Sequence, residues 1–88
     1  MNSSAEKIQS AVYSKGHIIV RFVSGVEIRF PVAKNPRLSG GTEPELSRIE
    51  VSPFGLHWPD LDEDLSFAGL LNGDYGQRNE QGLAPRVV

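Results

Sequence analysis

Four carboxylates crowd into five positions, Asp60, Asp62, Glu63 and Asp64, and His57 stands three residues ahead of them. Carboxylate oxygens at this density are the hard ligands that Mg²⁺ and Ca²⁺ prefer. An imidazole with a carboxylate partner can act as a general base. Together they define one chemical reading, a metal-assisted hydrolase built on Asp60, Asp62, Asp64 and His57. The run Asp60-Leu61-Asp62-Glu63-Asp64 even begins like a calcium loop, but Leu65 stands where the loop needs glycine and Leu71 where it needs a bidentate glutamate. The competing reading is structural: acidic residues at a helix start satisfy free N–H groups and the helix dipole. No motif fixes a serine near His57, and no nucleophile elbow is present. His17, at a strand start, carries no signal. The residues therefore define no catalytic set and name no metal ligands or cofactor.

Other motifs are weaker. Gly40-Gly41-Thr42 lacks the lysine and following helix of a phosphate-binding loop and reads as a connector. Arg21, Arg29, Arg37 and Arg48 offer a local basic patch for phosphate contact, a third functional class. Glu27 and Glu50 offset them, so a solvated sheet face is the expected role of Arg21 and Arg29. Trp58, the lone tryptophan, is expected in the core.

The elements that position these groups follow from periodicity and turn chemistry. Residues Gln9 to Ser14 read as a strand ending at a Lys15-Gly16 turn. In the next hairpin, a three-residue loop Val23-Ser24-Gly25 pairs Phe22 with Val26, Val20 with Ile28 and Ile18 with Phe30. It also sets Arg21 opposite Glu27, and puts Gly25 where such loops want positive φ. Residues Ala33 to Thr42 read as loop, and Pro44 to Ser47 as a helical turn with Pro44 at its first position. Ser52-Pro53-Phe54-Gly55 has the chemistry of a type I turn, which pairs Val51 with Leu56 and Ile49 with Trp58 and sets Glu50 across from His57. After Pro59, Leu65, Phe67, Leu70 and Leu71 suggest a short helix capped by Ser66 or Asp64 and stopped by Gly73. The prediction is a small α+β domain led by antiparallel sheet: a three-strand meander, a short helical turn, a second hairpin and a C-terminal helix packed on the sheet. Both hairpins are expected in one sheet, with Trp58, Phe22, Val20 and Ile28 beneath the helix.

The 88 residues suffice for one domain, read as a flexible head at 1–7, a domain at 8–73 and a disordered tail at 74–88. With no cysteine, a disulfide framework, thiolate metal site and cysteine nucleophile are excluded, and a cytoplasmic setting is expected. No apolar run reaches the length of a membrane span, and the start has no signal-peptide pattern. A net charge of −2 disfavours a broad nucleic-acid surface.

The run from Gly55 to Gly73, with His57-Trp58-Pro59, Leu61-Asp62-Glu63-Asp64, Ser66 and Gly69-Leu70-Leu71, resembles the C-terminal signature of the bacterial domain of unknown function 2442 family. Upstream, Phe22 and Gly25, Pro31-Val32, Pro36-Arg37-Leu38 and Thr42 to Leu46 are similar to its other segments. Asn35, Gly40-Gly41 and Pro53-Phe54 depart from its pattern. The resemblance implies an α+β fold without established catalytic residues. It also implies membership of a family in which some proteins pair with another small protein in toxin–antitoxin-like systems. It carries over no site residues. The reading favoured here is a non-catalytic binding or regulatory module that docks a protein partner or a second copy of itself. Its candidate surface is His57, Asp60, Asp62, Glu63 and Asp64 with Arg21 and Arg29. Metal-assisted hydrolysis and nucleic-acid contact remain as alternatives.

Overall fold

The computed structural model describes residues 7–77. Strands β1 (Ile8–Ser14), β2 (His17–Phe22) and β3 (Glu27–Pro31) form one antiparallel sheet in the order β1-β2-β3. A 3₁₀ turn (Val32–Lys34) and two short helices, α1 (Pro36–Ser39) and α2 (Glu43–Ser47), lead to β4 (Glu50–Val51), β5 (Gly55–Trp58) and β6 (Glu63–Ser66), a second antiparallel sheet in the order β4-β5-β6. Helix α3 (Phe67–Leu71) follows directly. No helix among the described residues is long and apolar enough to cross a membrane.

The first hairpin has the expected register. Ile18 pairs with Phe30, Val20 with Ile28 and Arg21 with Glu27. Phe22 N–H donates to Val26 O at 2.9 Å and Gly25 N–H to Phe22 O at 2.9 Å, and Gly25 has a φ of 102°. In β1, Ala11 pairs with Val20 and Tyr13 with Ile18, so this face turns inward while Val12 stays exposed. The second hairpin also keeps its register, Glu50 with His57 and Val51 with Leu56. Ser52 Oγ closes its turn by accepting from Phe54 N at 3.1 Å and Gly55 N at 3.2 Å.

The single expected sheet is two sheets, because β5 already has a second partner. Residues 63–66, read as the start of a helix, form β6 and take the open side of β5. Asp62 makes the return possible at a φ of 53°, a conformation that Asp tolerates better than most residues. The helix is accordingly shorter than expected. Ser66 is its N-cap, accepting from Gly69 N at 2.9 Å, and Asp64 is not. Gly73 ends it, with Gly73 N donating to Leu70 O and Asp74 N to Gly69 O.

The stretch 33–42, read as loop, is partly helical. Asn35 caps α1, with Pro36 at the first position. In α2 the first position is Glu43 rather than Pro44. Thr42 and Glu45 form a reciprocal capping box that draws on the Thr-x-x-Glu spacing. These turns bring Leu38 and Leu46 into the core. The core they complete combines Ile18, Val20, Phe22 and Phe30 with Leu56, Trp58 and Leu65, and with Phe67 and Leu70 of α3. Phe67 meets Phe22 edge-on at 5.5 Å, and Trp58 Nε1 donates to Leu46 O at 3.1 Å. Ile28 packs at the margin of this core.

The tail boundary also moves. Tyr75, placed in an unstructured tail at 74–88, stacks on Phe30 with ring centroids 4.8 Å apart. Residues 74–77 thus belong to the packed unit. The rest of that tail, and residues 1–6 of the predicted head, lie outside the described residues.

Gly55 tests the β5–β6 contact. A Cβ there would drive into the Leu65 carbonyl oxygen. Gly55→Ala is expected to destabilise the domain by about 2 kcal/mol. Urea denaturation will show this as a lowered midpoint with an unchanged slope.

Candidate functional site

The acidic run does not converge, and it does not fan around a helix start. The turn between β5 and β6 separates its members, and strand alternation sends Glu63 and Asp64 to opposite faces. Asp60 accepts from Arg48 Nη1 at 3.0 Å on the surface. Asp62 lies exposed in the turn. Glu63 is only 7% exposed and faces inward. Asp64 faces outward and binds His57 Nδ1 through Oδ1 at 2.7 Å. Among the described residues no group of three or more His, Asp or Glu side chains is placed to hold a metal ion.

His57 is the centre of the outward face of the second sheet. Antiparallel register sets it between Glu50 on β4 and Asp64 on β6, and Asp64 rather than Glu50 makes the hydrogen bond. Beside this pair, at the tip of the β4–β5 hairpin, Phe54 is 81% exposed. A groove of about 190 Å³ runs between them, with Gly55 and Ser66 in its lining.

The arginines do not form one basic patch. Arg21 and Arg29 share the outward face of the first sheet, and Glu27 holds both, at 2.9 Å and 3.6 Å. The hydrogen bond from Arg21 is the main reason the Glu27 carboxyl titrates below its ordinary value. The stability from this pairing is present above the ordinary carboxylate pKa and is lost as pH falls through the lowered one. Arg37 lies 3.7 Å from Glu63, and Arg48 is held by Asp60.

Glu63 leaves the candidate surface because it belongs to a buried node that sequence reasoning missed. Asn35 is fully buried. Its Oδ1 accepts from Arg37 N at 2.9 Å and Leu38 N at 3.1 Å, capping α1. Its Nδ2 donates to Glu63 Oε2 at 2.8 Å and to Tyr75 O at 2.9 Å. All four hydrogen-bonding positions of the amide are therefore used. Gly76 passes so close that a Cβ would collide with Asn35 Nδ2. The dipeptide Asn35-Pro36 announces the cap. Nothing local announces Glu63 or Tyr75.

The family model for a protein of unknown function (DUF2442) matches residues 8–76. That span coincides with the packed unit, including the segment through Gly76. A protein of unknown function from Rhodospirillum rubrum is 30% identical, with a TM-score of 0.73 over 85% of this chain and 95% of that one. An uncharacterized protein from Chromobacterium violaceum is 31% identical, with a TM-score of 0.68 over 81% of this chain and 69% of that one. No curated protein matches the chain.

Three of the four carboxylates should separate on mutation. Glu63→Ala leaves one of the two Asn35 Nδ2–H groups buried without an acceptor, removes the carboxylate beside Arg37, and is expected to cost about 3 kcal/mol. Asp60→Ala and Asp64→Ala break exposed pairs and should each cost about 1 kcal/mol or less. Thermal or urea denaturation of the three single variants checks the ranking.

Proposed function

The chain belongs to the DUF2442 family, whose function is unknown, and we propose that it acts as a non-catalytic docking module for a protein partner. Phe54 carries the reading. A phenylalanine that is 81% exposed contributes nothing to the core, and large exposed aromatics are the residues that anchor interfaces. Its neighbours, the His57–Asp64 pair and Glu50, supply a polar rim. The non-catalytic part of the proposal is supported by the polar inventory. Asp60 is held by Arg48, Glu63 by Asn35 and Arg37, and the arginines by carboxylates, while His57 and Asp64 pair only with each other, so no group of three or more His, Asp or Glu side chains converges among the described residues.

An antitoxin-like role is the finer form of this proposal, supported by the resemblance alone. A protein partner that docks on Phe54 is the common requirement of either form.

Affinity capture of the tagged chain from its own cells, compared with Phe54→Ser, tests it. Loss of an exposed side chain leaves the fold intact, which circular dichroism will verify. A stoichiometric protein partner is expected with the wild type, weakened about tenfold or more by the substitution. Equal recovery with both chains would contradict the Phe54 surface.

A further inference from the structure

Strand β6 is an edge strand, and the direction of its backbone bonds can be followed. Ser52 N–H bonds to Gly55 O, while Phe67 N–H bonds to Phe54 O. Antiparallel alternation then turns the backbone of Gly55 and His57 toward β4, and that of Leu56 and Trp58 toward β6. In β6, Glu63 and Leu65 answer β5. The Asp64 N–H and C=O and the Ser66 N–H point the other way, and no described residue gives them a backbone partner. They open onto a groove of about 530 Å³ between the β6 edge and the segment 74–77. Unpaired strand edges are templates for a further strand. The opposite edge of this sheet, β4, is only two residues long.

Charge selects the occupant. Among the described residues, Asp64 and Asp74 line this groove and no lysine or arginine does. The Asp64 side chain is 77% exposed, so its second oxygen can meet a cation while the first holds His57.

We propose that β6 accepts a short extended segment of the partner protein that carries lysine or arginine, added as a fourth strand through Asp64 and Ser66, with Asp64 and Asp74 reading its positive charge. This rests on the docking reading and specifies the form the partner takes.

The test uses the full chain labelled with ¹⁵N and the blocked peptide Thr-Lys-Val-Lys-Val-Thr as probe. Two controls are a copy with glutamate for lysine and a copy with proline for valine. The basic peptide is expected to slow exchange of the Asp64 and Ser66 amides. The two controls should not. Asp74→Asn should weaken the basic peptide about fivefold, the size of one exposed charge contact. The inference is overturned if the Asp64 amide is already protected in the free chain. It is equally overturned if the acidic copy binds as well, if binding leaves both amides unprotected, or if no peptide binds at millimolar concentration. A silent titration alongside Phe54-dependent capture would sink strand addition and leave the docking reading standing. Strand addition without Phe54-dependent capture would sink the Phe54 surface and leave docking through β6 standing.

Discussion

The side-chain amide of Asn35 joins three parts of the chain, α1, β6 and the segment 74–77. A buried amide that makes all its hydrogen bonds is a fixed junction, because each missing bond would leave a polar group without water. One end caps α1, and the other joins Glu63 of β6 and the Tyr75 carbonyl. The junction therefore sets the position of α1 relative to the second sheet and brings residues 74–77 alongside β6. Tyr75 can then lie flat on Phe30, which links the same segment to the first sheet. The buried Glu63 carboxylate is tolerable because Asn35 and Arg37 both answer it.

The candidate surface depends on this arrangement. Glu63 faces inward to reach Asn35, so its neighbour Asp64 must face outward to His57. The same alternation turns the Asp64 backbone toward the groove, whose far wall is the segment that Asn35 retains. Docking surface and buried node are thus two sides of one strand, four residues long. Phe54 completes the surface from the hairpin whose Gly55 lets β6 approach.

How much of this was legible in the sequence depended on the range of the interactions. Both hairpin registers were readable because turn chemistry and alternation agree locally: Gly25 with the Arg21–Glu27 pair, and the Ser52 turn with Leu56 and Trp58. The strand β6 was obscured for two local reasons. Its inward position holds a charged residue, Glu63, which hides the period of two, and its turn reaches positive φ at Asp62 without a glycine. Leu65 then fell into a false helical pattern with Phe67 and Leu70. The capping box at Thr42 and the Asn35-Pro36 cap are local motifs, but they lie in a stretch, 33–42, that reads as loop. The burial of Asn35 has no local signal, since its partners lie 28 and 40 residues away. That separation also explains why Asp74 to Gln77, polar and glycine-bearing, resembled a tail.

The most direct test of the Asn35 junction is native-state hydrogen exchange on Asn35→Ala. If the amide couples three segments, the amides of α1, β6 and residues 74–77 should lose protection together, by more than the β1–β2 amides do. Loss confined to Arg37 and Leu38, the two amides that Asn35 caps, would contradict the account and reduce Asn35 to a local helix cap.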